Sequence, residues 1–243
     1  EPTVPELLAL TYPAFDPVAI RIGPLVIRWY ALAYLAGIGG GWWMMVRLLR
    51  LPGAAQMTRA AVDDFVMWAV LGVILGGRLG YVIFYNPAYF LSHPLEILQI
   101  WQGGMSFHGG LLGVAIAMAI FARRSNVPLL PLTDLAAAVA PLGLLLGRTA
   151  NCVNGELFGR PTNVPWGMAF PAGGPQLRHP SQLYEAALEG LVLLVIVQIL
   201  YRTEIMRRSP GMVSGAFLSG YAAARLLVEG FRQPDAHIGF LAA

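Results

Sequence analysis

The sequence predicts an all-α fold, a polytopic bundle of transmembrane helices, on three observations. Apolar types make up 57% of the 243 residues and charged types only 12%, about half the charged share of a typical soluble domain. Six stretches approach the roughly 20 apolar residues that cross a hydrocarbon core of about 30 Å. Basic residues cluster between alternate stretches, the pattern that orients membrane helices. Together with a mean hydropathy of +0.62, these features exclude disorder and disfavour a soluble two-domain enzyme.

The first stretch runs from Trp29 to Val46 without a formal charge and has no small-residue cleavage site after it, so it reads as a span and not a signal peptide. The second is Phe65 to Tyr85, broken by Arg78. The third is Gly103 to Ala122, and the fourth runs from Leu135 to about Val153, interrupted by Arg148. The fifth is Ser181 to Tyr201, charged only near its start, where Pro180 and Ser181 read as a helix start with Ser181 as the cap. The sixth, Gly211 to Phe231, carries Arg225 and Glu229.

Arg47, Arg50 and Arg59 follow the first span, Arg123 and Arg124 the third, and Arg202, Arg207 and Arg208 the fifth. These groups share one side, expected to be cytoplasmic. Both ends of the chain are then outside. The chain reads as a single integral membrane domain over 1–243, with residues 155–180 as an external loop or cap rich in Pro and Gly, and with no repeat or low-complexity tract. All 16 basic residues are Arg, and a net charge of +3 gives no argument for nucleic acid. The single Cys152 cannot form an internal disulfide, and packing is its favoured role.

An Arg at the bilayer centre costs about 2.5–3.5 kcal/mol on insertion scales. Arg78, Arg148 and Arg225 stand inside spans that run in the same direction, so they are expected at similar depth in the outer half of the membrane, converging on an anion such as a lipid phosphate. The alternative is a set of structural ion pairs. Glu229, at i+4 from Arg225, fits that reading for one pair, but the acids within the spans are expected to be too few for all three arginines, and the nearest in sequence to Arg148 is Glu156. Gly103 to Gly110 opens the third span with a glycine run and His108, which suits either helix packing or an anion site with a group able to exchange a proton near neutral pH. Gly147 to Arg160 is the densest polar run. Arg148 and Asn151 share a helical face in it, and Asn154 and Glu156 follow where the span ends. Taken alone, His179 and Glu185 read as interfacial, and Trp29 and Tyr30 as an aromatic belt. No metal-ligand spacing is visible, and no cofactor is expected.

Five segments in order carry a resemblance: GGRLGYVIFY at Gly76–Tyr85, GGMSFHGG at Gly103–Gly110, GRTANCVNGELFGRPT at Gly147–Thr162, RHPSQLYE at Arg178–Glu185 and VEGFRQPDA at Val228–Ala236. The chain resembles bacterial prolipoprotein diacylglyceryl transferase from Phe15-Asp16-Pro17 to Asp235. The resemblance implies a multi-pass enzyme of the bacterial inner membrane with its active-site face periplasmic. It would move the diacylglyceryl group of phosphatidylglycerol onto the thiol of the lipobox cysteine in a preprolipoprotein signal peptide, releasing glycerol phosphate. By position, Arg148 and Arg225 would be the functional arginines, and His108 the family's histidine. Tyr30, Asn151, Asn154, Glu156, Gly159 and Glu229 would support them, with Arg78, Tyr221 and Arg232 completing the substrate-binding set. The proton acceptor stays open between His108 and a glutamate, the alternative being that the arginines lower the pKa of the incoming thiol enough. Cys152 stands where the family has no thiol. The family is expected to add a seventh span after this segment, and six are visible up to Ala243. A second reading of buried arginines is a transporter or flippase for an anionic lipid or small phosphate compound, although the repeated halves common in transporters are not apparent. A purely structural helix bundle is poorly served by so many buried charges.

Overall fold

The computed structural model describes residues 12, 16, 18–23, 25–52, 54 and 57–233, without the side chains of Leu25 and Met206. The ends of the expected resemblance, Phe15 and Pro17 on one side and residues 234–236 on the other, lie outside the described residues.

Among the described residues a short antiparallel hairpin is the first element, an addition to the expected all-helical fold. Strand β1 (Val18–Ile22) pairs with β2 (Leu25–Arg28), placing Ile20 opposite Ile27 and Ile22 opposite Leu25. Both strands are rich in β-branched residues, and Gly23 turns between them at φ +57°. The chain then enters α1 (Trp29–Leu48) and α2 (Arg59–Phe84), the second capped by Thr58, which accepts from the Ala61 amide at 3.1 Å. A short helix α3 (Pro87–Ser92) and two 3₁₀ turns lead to α4 (Phe107–Arg124). This helix starts later than the apolar run suggests, because Gly103 and Gly104 hold φ of +83° and +78°. Ser106 is the cap, accepting from the Gly109 amide at 3.1 Å. The fourth apolar run is two helices, α5 (Leu129–Ala137) and α6 (Ala140–Val153), separated just ahead of Pro141. Helix α7 (Ser181–Arg202) contains a π-helical stretch at Ala186–Val192. Its cap position is Pro180 and not Ser181, whose hydroxyl donates to the Leu157 carbonyl at 3.1 Å. After α8 (Glu204–Arg207), α9 (Met212–Glu229) is the last helix of the described residues.

Among the described residues, α2, α4, the α5–α6 stretch and α7 are long and apolar enough to cross a bilayer. Helices α1, with 20 residues, and α9, with 18, have the length but dilute their apolarity with Trp, Tyr and Gly in one case and Arg225 and Glu229 in the other. The outer faces carry Leu35, Leu75, Leu226 and Leu227, each more than half exposed, a surface suited to lipid and not to water. The chain is a helical membrane protein.

Packing is uneven along the bundle. Met45, Leu48, Val62, Phe65, Phe121, Leu132, Leu135, Val197, Tyr201 and Val213 belong to one buried apolar cluster. They come from the C-terminal ends of α1, α4 and α7 and the N-terminal ends of α2, α5 and α9, so the cluster lies at one end of the bundle. Here Asp134 of α5, only 4% exposed, accepts from the amides of Gly211 (2.7 Å) and Ser214 (2.8 Å) and from the Ser214 hydroxyl (2.7 Å). A carboxylate from one helix thus caps the positive end of another.

Helices α2 and α4 meet along facing small residues, Gly72, Gly76 and Gly80 against Gly109, Gly113 and Ala117. A Cβ at Gly76 would stand 2.3 Å from the Gly109 carbonyl oxygen, and one at Gly113 2.1 Å from that of Gly72. This is close backbone approach of the small-xxx-small kind. Gly76→Val is expected to destabilise the protein by about 1–3 kcal/mol, read as a lowered unfolding midpoint in detergent. Gly39→Ala, where an added Cβ meets nothing within 4 Å, is the near-neutral control. Asp134→Ala, which leaves the start of α9 uncapped, is expected to cost about 2 kcal/mol in the same measurement.

Candidate active site

The end of the bundle opposite the apolar cluster gathers ionised side chains. Helix α6 brings Arg148 near its C-terminus, α7 brings Glu185 and Glu189 at its start, and α9 brings Arg225 and Glu229 at its end, with Arg232 just beyond. Glu185, 1% exposed, is their common partner. Its Oε2 lies 3.1 Å from Arg148 Nε, and its Oε1 lies 2.7 Å from Arg225 Nη1 and 3.1 Å from Arg232 Nη1. Glu189, fully buried, lies 3.7 Å from Arg148 Nη2, and Glu229 lies 3.2 Å from Arg225 Nη2, the i+4 pair expected from sequence. Two local features set this geometry. Gly190 lets α7 approach α6 so closely that a Cβ would stand 2.6 Å from Leu145 Cα. The π-helical stretch begins immediately after Glu185 and contains Glu189, a distortion frequent at functional sites.

The expectation that acids within the spans are too few is corrected: Glu185 and Glu189 lie within α7, and Glu185 is buried and not interfacial. Even so, the arginines are not fully consumed. Arg148 Nη1 and Arg225 Nε have no protein acceptor among the described residues, and the side chains of Arg148 and Arg225 remain 18% and 31% exposed. Each offers an open guanidinium edge to an anion.

A second polar group follows Arg148 at the end of α6. Asn151 and Asn154 donate to Glu156 Oε1 at 2.8 and 3.2 Å, and Gln182 donates to the Glu156 carbonyl at 2.6 Å. Asn154 Oδ1, Gln182 Oε1 and both carboxylate oxygens of Glu189 are buried acceptors without a hydrogen-bond donor from the described protein. Buried acceptors favour a ligand that carries hydroxyl groups. Tyr30 lies within electrostatic reach of Arg148 and Glu156, and Tyr221 within reach of Arg148, Arg225, Glu185 and Glu189.

The cap over this end is stitched to the chain after α9. Gly159 donates to the His179 carbonyl (2.8 Å), and Arg160 donates through its amide to the Phe231 carbonyl (2.9 Å) and through Nε to the Arg232 carbonyl (2.6 Å). A Cβ at Gly159 would stand 2.3 Å from the Phe231 oxygen, so this glycine serves the seam that delivers Arg232 to Glu185. Trp166 donates to the Tyr184 hydroxyl at 2.7 Å, and that hydroxyl lies 3.2 Å from His179 Nδ1. Burial lowers the basicity of His179, which suits a neutral ring accepting from Tyr184. Tyr12 donates to the carbonyls of Cys152 (3.0 Å) and Val153 (2.7 Å), tying down the end of α6.

Two expected site residues are not brought to the cluster. Arg78, though at the same end of the bundle, donates to the carbonyls of Glu96 (2.6 Å), Ile97 (2.9 Å), Gly103 (2.6 Å) and Gly104 (3.2 Å), and its guanidinium lies over the Phe90 ring. It pins the connection between α2 and α4. His108 is exposed in the first turn of α4, and its ring packs against Phe107. Among the described residues, neither shares a partner with Arg148 or Arg225, and no three His, Cys, Asp or Glu side chains form a metal site. Sequence reasoning missed Glu189 and Gln182 and misjudged Glu185. Two acids at i and i+4 inside an apolar run are the signal that finds them.

Comparison with known proteins identifies the family of the chain. The sequence model of the family described as prolipoprotein diacylglyceryl transferase matches residues 17–243. A protein of Rhodospirillum rubrum named phosphatidylglycerol--prolipoprotein diacylglyceryl transferase is 57% identical over 97% of this chain and 86% of its own length. Proteins of the same name from Allorhizobium ampelinum (53% identical, over 98% of this chain and 85% of the relative) and Gluconacetobacter diazotrophicus (55%, over 97% and 84%) are similarly related. With clustered arginines from separate membrane helices and this match across most of its length, the chain belongs to the prolipoprotein diacylglyceryl transferase family.

Proposed function

We propose that the chain transfers the diacylglyceryl group of phosphatidylglycerol to the lipobox cysteine of a preprolipoprotein signal peptide, and that Arg148 and Arg225 hold the phosphate during the transfer. The observation that carries this reading is the meeting of Arg148 and Arg225, from α6 and α9, on one buried carboxylate with donor edges still open. The names of the relatives, which include both phosphatidylglycerol and prolipoprotein, support the choice of substrates.

The reaction divides among the residues as follows. The phosphodiester lies against the open edges of Arg148 and Arg225, which stabilise the charge that grows on the departing phosphate oxygen. The cysteine thiolate attacks the glycerol carbon bonded to the phosphate oxygen. A C–S bond forms, the C–O bond breaks with its electron pair on oxygen, and glycerol phosphate leaves. Before attack the thiol proton passes to a base; His108, at the same end of the bundle, is the first candidate and a glutamate of the cluster the second. Glu185 and Glu229 orient the arginines. Tyr30, Tyr221, Asn151, Glu156 and Arg232 line or brace the site, and Gly159 and Arg78 maintain the cap and the α2–α4 connection around it.

In the membrane the bundle is read as six spans of one domain, with residues 155–180 as a cap. The loops at the apolar-cluster end carry Arg47, Arg50, Arg59, Arg123, Arg124, Arg202, Arg207 and Arg208, which supports placing that end in the cytoplasm and the arginine cluster on the periplasmic side of a bacterial inner membrane.

The test is incubation of the purified chain in phosphatidylglycerol vesicles with a lipobox peptide, followed by mass spectrometry of the peptide. A diacylglyceryl gain on the thiol is expected; lipid redistribution without a covalent product would favour the transporter reading instead. Arg148→Ala and Arg225→Ala are each expected to lower transfer by at least about 100-fold while the protein still inserts, and normal turnover in either would remove the phosphate role. Glu185→Gln leaves three guanidinium groups without their shared charge. It is expected to reduce transfer about tenfold or more and to lower the unfolding midpoint as well.

A further inference from the structure

A cavity of about 190 Å³ lies at the cytoplasmic end, lined by Trp42, Trp43, Val46, Arg47, Arg50 and Arg59. Nothing in the transfer reaction uses it. Arg47 stacks on the Trp43 ring at 3.9 Å and Arg59 faces the Trp42 ring at 5.4 Å, so indole faces fix two of its three cations. The nearest acid is Asp63, which accepts from Trp42 Nε1 at 2.5 Å. Asp64 follows it on the same helix, yet among the described residues none of the three arginines forms an ion pair. The lining therefore holds three positive charges and no negative one.

Its depth is fixed by α1. Seventeen residues separate Tyr30, beside the reaction cluster, from Arg47, about 25 Å at 1.5 Å per residue. That is close to the hydrocarbon thickness of about 30 Å, so the cavity sits at the opposite headgroup level. Above it, Leu35 and Ile38 precede Trp42 on one face of α1, and Met67 and Leu71 follow Arg59 on α2. All four are exposed apolar side chains. A ligand seated here meets guanidinium groups at one end and an apolar helix surface at the other.

We propose that this cavity is a binding site for the phosphate headgroup of an anionic phospholipid, in the leaflet opposite the reaction cluster. The proposal rests on the reading that the bundle spans the bilayer with its basic end in the cytoplasm. It does not rest on the transfer chemistry. Guanidinium donors bind phosphate in a fork, the indoles hold them in place, and the acyl chains lie along α1 and α2. A free phosphate would gain nothing from that apolar surface.

Native mass spectrometry of the full chain, unmodified and carrying Arg47→Ala, Arg50→Ala and Arg59→Ala, tests this against added phosphatidylglycerol, phosphatidylcholine and inorganic phosphate, with the reaction cluster common to both proteins. One more tightly retained phosphatidylglycerol is expected in the unmodified chain than in the triple variant. The triple variant is expected to cut retention of that lipid at least fivefold, with phosphatidylcholine unaffected. Equal retention in both proteins, equal loss of phosphatidylcholine, or displacement by millimolar inorganic phosphate would each overturn the proposal. The triple variant in an otherwise native chain is expected to keep its unfolding midpoint and its transfer activity. Absence of transfer in the unmodified chain would count against the proposed reaction and leave the retention result to decide this site.

Discussion

Glu185 is a carboxylate removed from water and surrounded by cations from three segments of the chain. Burial alone makes an ionised group costly, and here that cost is offset only while Arg148, Arg225 and Arg232 all remain in place. The same requirement runs in reverse: each guanidinium would be expensive in an apolar bundle without Glu185. This mutual dependence fixes the relative positions of α6, α7, α9 and the segment beyond α9. It also leaves Arg148 Nη1 and Arg225 Nε without a protein acceptor among the described residues, because the other nitrogens face carboxylates.

The rest of the molecule is arranged around that polar end. A large buried apolar cluster lies at the other end, where arginines gather at the helix ends and Asp134 secures the start of α9. Between them, α2 and α4 are drawn together by facing glycines, which sets the height of the α2–α4 connection, and Arg78 then fastens that connection by its carbonyls. Apolar packing and buried charge are thus partly segregated along the bundle axis: Arg148, Glu185 and Glu189 gather at one end, and Asp134 is a buried carboxylate at the other.

Much of this was legible in the sequence. The helices could be found because crossing a bilayer demands long apolar runs, and the convergence of Arg148 and Arg225 followed from their positions in spans of like direction. Helix starts were less legible. The third span begins late because Gly103 and Gly104 hold a left-handed backbone that no hydropathy count registers. The hairpin escaped notice because strands of five and four residues are small against six helical runs. Glu185 was misread because an acid near a span boundary resembles an interfacial residue until the other helices are seen around it. Arg78 was misassigned for the complementary reason: its partners are carbonyl oxygens, and a search for opposite charges cannot see them.

The contact of Tyr12 with α6 reaches further than its two hydrogen bonds suggest. Its hydroxyl holds the carbonyls of Cys152 and Val153, one helical turn beyond Arg148, and burial together with nearby Cys152 keeps the phenol protonated as a donor. A substitution at Tyr12 therefore acts on the helix that bears Arg148, and what such a variant would report is a loosened helix end and not the loss of a group at the arginine cluster.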